Sequence, residues 1–254
     1  MRSADLFDRL APGYDELLPF FSSFGREIVA VLDPAPASEL LDVGAGRGAV
    51  SAAAVSSGCR VTAVDAAPHM VELLWREHPD VVARVMDAES LDFPTDSFDI
   101  AVGAFVIHLV DNPAAALSEV RRVLRPGGVV AVTMPGPYED GGRWDRFNAL
   151  VAEYEARVST GEPFGRPLDV AVALRAAGFV DVHEEHVEVH LPVESPLRLW
   201  DFQMSHGFAG FVESLDHEDA TELRRRALAE LDRMRADGGI VLDRGATIHV
   251  ARVP

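Results

Sequence analysis

From Leu40 to Met134, short apolar runs alternate with stretches of helical periodicity, and this alternation limits the fold more than any other feature. Strands separated by helices must pair in parallel, because each helix carries the chain back to the same edge of the sheet. Glu39–Val43 is predicted as the first strand, with a helix over Ala49–Ser56 after a glycine turn. Arg60–Asp65 is the second strand, and Pro68 marks the next helix start, with Met70, Leu73 and Leu74 on its inner face. Val81–Met86 and Phe98–Gly103 follow as strands; the latter is nearly all apolar, as a strand covered on both faces should be. Pro113–Leu124 reads as a helix stopped at Arg125-Pro126-Gly127-Gly128, before a fifth strand over Val129–Thr133.

After Met134 the rhythm changes. Tyr138–Gly165 carries Trp144, Phe147, Tyr154 and Phe164; the first two and Tyr154 fall near helical spacing and read as a buried helix face. A helix over Leu168–Ala177 leads into a strand near Phe179–Leu191, and Pro192–Gly239 reads as helical. Ile240–Leu242 and Thr247–Ala251 are expected to close the chain as a hairpin-like strand. The expected fold is α/β: one Rossmann-like sheet with a helical cap. A single domain is expected, with a core at about 27–135, 166–191 and 240–254 and a cap from about 1–26, 136–165 and 192–239.

Composition removes several chemistries. All 23 basic residues are arginine, so a lysine phosphate loop, a Schiff-base lysine and a Tyr-x-x-x-Lys pair are excluded. The net charge of -18 repels phosphate backbones and anionic lipid surfaces, which points to a small-molecule substrate rather than nucleic acid or membrane. Cys59 is the only cysteine, so no intrachain disulfide or CxxC zinc site can form. No run approaches the roughly 18 apolar residues of a membrane span. The first residues carry acids where a signal peptide would be apolar, and a cytoplasmic setting is expected.

The chemistry concentrates at strand ends. Gly44-Ala45-Gly46 lets backbone approach a ligand, and the amides of the following helix start point at it. Gly44, Gly46 and Ala49 also fit the dinucleotide fingerprint, and Asp65 suits a ribose diol in either reading. Asp42 separates them: a carboxylate there would repel a pyrophosphate but not a sulfonium or ammonium. Asp87 beside Ala88 offers the acceptor and amide that match an adenine edge. Ala104-Phe105 lies at the crevice where open α/β sheets bind ligands.

LLDVGAGRG, VTAVDAAPHMV and MDAESLDFPTDSFDIAVGAFVIHLVDNPAAALSEVRRVLRPGGVVAV, in this order and spacing, resemble the class I S-adenosylmethionine-dependent methyltransferases. The nearest subgroup contains quinone-biosynthesis and other small-molecule enzymes, and FDRLAPGYD resembles its N-terminal cofactor lid. The resemblance covers about Leu40–Val132 and implies a seven-stranded, mostly parallel sheet with an antiparallel last strand. It implies that Gly44, Ala45 and Gly46 line the methionine part of the cofactor, with Asp42 at its base. Asp65 would bind the ribose, Ala66 and Met70 would pack near ribose and adenine, and Asp87 and Ala88 would meet adenine. Ala104 and Phe105 would face the methionyl side, and Tyr14 would reach the cofactor from the lid. The product would be S-adenosylhomocysteine.

An oxygen acceptor must lose a proton, for which His108, after the fourth strand, and His206, among Phe202, Phe208 and Phe211, are the candidates. Each could equally be a capping, packing or solvent-facing residue. His183, His186 and His190 do not share a face on a strand, which argues against a metal site. Arg224-Arg225-Arg226 reads as a solvated helix face with i,i+4 pairs. The expected function is methyl transfer to a small, partly hydrophobic acceptor in specialised metabolism, by a monomer or homodimer without a metal. The rivals are a cyclase or rearrangement catalyst that binds the same cofactor without transfer, and an NAD(P)-dependent oxidoreductase.

Overall fold

The computed structural model describes residues 3–158 and 167–254. Phe164 lies outside them. Two helices, α1 (Ser3–Leu10) and α2 (Phe20–Leu32), precede the sheet. The alternating region then gives β1 (Glu39–Val43), α3 (Ala49–Ser56), β2 (Arg60–Asp65), α4 (Pro68–Glu77), β3 (Val82–Val85), β4 (Phe98–Ala104), α5 (Pro113–Val123) and β5 (Leu124–Gly136). The later part adds α6 (Asp145–Glu155), α7 (Val170–Ala176), β6 (Val180–Val193), α8 (Pro196–Gln203), α9 (Phe208–Ser214), α10 (His217–Ala236) and β7 (Ile240–Arg252). The strands form one seven-stranded sheet in the order β3-β2-β1-β4-β5-β7-β6. β7 runs antiparallel to both β5 and β6, and the other pairings are parallel.

The helix α5 shows how sequence sets such an element. Asn112 caps it by accepting from the Ala115 amide at 3.2 Å, and Pro113 occupies the first turn. Ala116, Leu117, Val120 and Val123 form one buried stripe against the sheet. Leu117 is fully buried, so its truncation to Ala would cost about 2–5 kcal/mol. The opposite sheet face packs on Phe24 and Ile28 of α2 and Val50 and Ala54 of α3. A separate apolar cluster joins α6, α8 and α10 over the end of the sheet, through Trp144, Phe147, Tyr154, Leu199, Phe202, Leu223 and Leu231.

The expected terminal hairpin is instead one continuous strand. Gly245 pairs with Gly136 on one side and Glu188 on the other, so both edges of β7 are held and no turn can form. A Cβ at Gly245 would lie 1.7 Å from the Pro137 carbonyl oxygen; the glycine admits a close backbone approach, which in sequence resembled a turn. The arginine run also differs from its expectation. Arg225 pairs with Glu222 at i,i-3, while Arg226 crosses to Glu153 on α6 at 2.8 Å. His186 and His190 sit opposite Thr247 and Asp243 and interact with them, and among the described residues no group of three His, Cys, Asp or Glu is arranged to hold a metal. Among the described residues no helix is long and apolar enough to cross a membrane.

Candidate active site

The turn between β1 and α3 carries Gly44 at φ 66° and Gly46 at φ 53°, the left-handed region that side chains disfavour. A Cβ at Gly44 would also lie 2.3 Å from a Val106 methyl. The Gly44 and Ala45 amides both donate to the Val64 carbonyl, at 2.8 and 3.0 Å. Asp65 closes the turn from the end of β2. Its carboxylate accepts from the Gly46 amide and from the Ala67 amide, each at 2.8 Å. Burial raises the Asp65 pKa, although these amide bonds pull against the rise.

Two adjoining pockets open at this carboxyl edge of the sheet. One is bordered by Asp42, Ala45, Phe21 and Phe24, the other by Asp65, Ala66, Met70, Asp87 and Ala88. Tyr14, Gly44, Gly46, Ala104 and Phe105 border both. Every residue predicted to contact the cofactor therefore lies on this double pocket. Phe105 has φ 56° without being glycine, a strained conformation held at the junction of the two.

The N-terminal segment closes over the pockets. The Tyr14 ring stacks on Phe21 with centroids 4.4 Å apart. The Asp15 carboxylate accepts from the Phe21 and Ser22 amides at 2.9 and 3.0 Å, which fixes the first turn of α2. Asp8 accepts from the His69 amide at 2.7 Å and so caps α4 from α1. Arg47, inside the glycine turn, donates to the Tyr14 carbonyl at 2.9 Å and pairs with both Glu16 and Glu77. It ties the lid to the turn that the lid covers. Arg47 carries no predicted role from sequence; a long cation in a turn of small residues was the available signal.

Asp42 is almost fully buried at the floor of the first pocket, where Ser51 Oγ donates to it at 2.6 Å. Burial pushes its pKa up to about 7, and the nearby Asp65 adds to the rise. The cation nearest the turn, Arg47, is already engaged by two carboxylates and by lid carbonyls. The walls are thus acidic, with a glycine cradle between them. Such a donor set suits a ligand with positive charge and disfavours a pyrophosphate.

Neither candidate base borders the pockets directly, and the two are placed differently. His108 follows β4 but borders neither pocket; its Nδ1 is buried without a hydrogen-bond partner, and burial lowers its pKa. His206 lies under the cap beside Phe21, with ring centroids 5.9 Å apart, and against Phe202 at 4.6 Å. Its Nδ1 is 2.8 Å from the Phe202 carbonyl, which can only accept, so Nδ1 carries the proton. Nε2 is left as an acceptor. Burial pushes the His206 pKa down to about 4, so the ring is neutral near pH 7. Phe20 and Phe21, the aromatic link between the cap and the pockets, were not singled out from sequence, because two phenylalanines at a helix start resemble ordinary core.

Residues 41–132 match the methyltransferase domain family. Nocamycin O-methyltransferase of Saccharothrix syringae is 32% identical over 98% of this chain and 96% of its own length. The chain belongs to the S-adenosylmethionine-dependent methyltransferases. Among solved structures, a phosphoethanolamine N-methyltransferase of Haemonchus contortus, in complex with phosphomonomethylethanolamine and S-adenosylhomocysteine, superposes with a TM-score of 0.55 at 19% identity. It covers 91% of this chain and 52% of that one. The [4+2]-cyclase SpnF superposes equally, with a TM-score of 0.55 at 23% identity, covering 92% of this chain and 81% of that one. The architecture is therefore shared by a transferase and a cyclase, and at these identities it speaks to fold alone. S-Adenosylmethionine is the methyltransferase's cofactor, and the acidic double pocket with its glycine cradle fits that molecule. The oxidoreductase alternative is set aside.

Proposed function

We propose that this methyltransferase alkylates an oxygen of a small, partly hydrophobic acceptor in specialised metabolism. Asp65, Asp87 and Ala88 would hold the adenosine half of the cofactor, with Ala66 and Met70 packing on it. Asp42, Gly44, Ala45 and Gly46 would hold the methionine half, with Tyr14, Ala104 and Phe105 at the junction of the two. When bound, the cofactor supplies an electrophilic methyl group on a sulfonium. The protein's own part is to orient the acceptor, exclude water and remove a proton.

The observation that carries the reading is the fixed tautomer of His206. Its Nδ1–H is committed to the Phe202 carbonyl, its ring is neutral, and it packs on Phe21 at the wall of the pocket. A neutral Nε2 so held can accept the proton of an acceptor hydroxyl. The O-methyltransferase relative, matched along nearly the whole chain and so across the cap, supports the same chemistry. His108, whose buried Nδ1 has no partner to fix its tautomer, fits a packing role better. The net charge of -18 supports a small molecule over a nucleic acid or membrane surface, and a cytoplasmic setting without a resident metal goes with this reading. We further propose one catalytic unit in which the sheet carries the cofactor and the cap selects the acceptor.

Trideuteromethyl-labelled cofactor incubated with the protein and an extract of its source cells tests the proposal. A product carrying the label, with S-adenosylhomocysteine formed in equal amount, is expected. A transformed product without S-adenosylhomocysteine would replace transfer by the cyclase-type reading.

A further inference from the structure

Among the described residues, Arg244 is a cation without a carboxylate partner. It lies on β7 one residue before the Gly245–Gly136 pair that ends β5, so it projects from the same carboxyl edge of the sheet as the cofactor pockets. Its guanidinium stands over Trp144 at 4.4 Å and over Tyr138 at 5.2 Å from the ring centroids. Its one hydrogen bond among the described residues goes to the Asp243 carbonyl at 2.7 Å. The two nearest carboxylates are committed elsewhere. Asp243 is held by Arg143 at 2.9 Å and by His190 at 2.7 Å. Asp140 accepts from the Gly142 and Trp144 amides, each at 2.8 Å. Other arginines of the cap, Arg143, Arg157 and Arg226, each pair with an acid.

A desolvated guanidinium with several idle N–H donors is costly unless something anionic completes it. The aromatic rings beneath it hold the guanidinium in place, and its planar fork suits a bidentate acid. The Arg244 charge also reaches His206, whose protonation it opposes. His206 in turn touches Phe21 at the pocket wall.

We propose that Arg244 is a specificity-determining residue that pairs with an ionised oxygen, a carboxylate or an enolate, on the end of the acceptor remote from the methyl-accepting oxygen. The proposal rests on the reading of the cap as the acceptor site. It makes the acceptor an acid with an apolar body rather than a neutral hydrophobe.

Calorimetry on protein saturated with S-adenosylhomocysteine tests this with 2-naphthoate and its neutral analogue 2-naphthamide. Naphthoate is expected to bind at least about tenfold more tightly than naphthamide. Arg244→Gln is expected to erase that preference while leaving S-adenosylhomocysteine affinity unchanged, and Arg244→Lys to restore part of it. Equal affinities in the unaltered protein would overturn the proposal, a comparison that needs no variant to fold. So would a preference that survives Arg244→Gln, or no naphthoate binding to the saturated protein. Failure of S-adenosylhomocysteine itself to bind is a distinct result, and it would overturn the cofactor site and the proposal together.

Discussion

The two halves of the site are built on different principles. The cofactor crevice is made of backbone: positive-φ glycines, amides donated to Asp65, and strand ends brought together within one run of alternating elements. The cap is made of side chains from distant parts of the chain, with Phe20 of α2, Trp144 beside α6, Phe202 of α8 and Leu242 of β7 meeting in one cluster. A turn that needs φ above zero and an acid at a set distance accepts few sequences. A packed apolar layer accepts many, provided total volume is kept. The crevice is therefore constrained residue by residue, while the cap tolerates variation so long as it stays packed.

This contrast can be broken or sharpened by substitution. His206→Ala, in the cap, is expected to lower kcat by about 100-fold or more and leave S-adenosylhomocysteine affinity unchanged. Paired turnover and calorimetry would show it, and an equal loss in both would move His206 to a structural role. Asp65→Ala, in the crevice, should do the reverse and weaken cofactor binding by about 1–3 kcal/mol, because the proposed ribose bonds and the Gly46 clamp would be lost together. Unchanged affinity would remove Asp65 from the ribose.

Asp42 gives a pH signature. Its folded pKa of about 7 lies above the unfolded value, so the native state holds more protons from about pH 4 to 7. Its contribution to stability is present at low pH and lost as pH rises through 7. A bound sulfonium and ammonium favour the ionised form, so S-adenosylmethionine affinity should rise roughly threefold to tenfold as pH rises through 7. Asp42→Asn should flatten both profiles in thermal melts and titrations; unaltered slopes would show that another group titrates. Arg47→Met should have the smallest effect, weakening cofactor binding about fivefold or less, since its partners Glu16 and Glu77 are partly exposed. Faster cofactor release in stopped-flow would identify the loss as the lid's, whereas an unchanged release rate would deny Arg47 that role.

Much of the crevice was legible in the sequence for the same physical reason that it is constrained. Glycines after an apolar strand, Asp65 about twenty residues on and Asp87 after the third strand are local signals whose spacing survives without structure. The strand β7 was misjudged because Gly245 has two uses, turning a chain or admitting a neighbouring carbonyl, and only the pairing of both edges decides between them. Arg244 was missed because nothing local in the sequence distinguishes an arginine stacked on aromatic rings from one in solvent. His206 was a candidate on its aromatic company, yet its tautomer depends on a carbonyl four residues back, visible only once α8 is folded.

On the proposed reading one double pocket receives S-adenosylmethionine with its adenosine beside Asp65 and Asp87 and its methionine end beside Asp42, next to the Phe21 ring that His206 packs on. A crystal structure with S-adenosylhomocysteine tests it most directly. The ribose hydroxyls should lie within hydrogen-bond distance of Asp65 and the thioether sulfur should face Phe21 and Phe105. A ligand bound in the opposite sense, or elsewhere while this crevice stays empty, would contradict the claim.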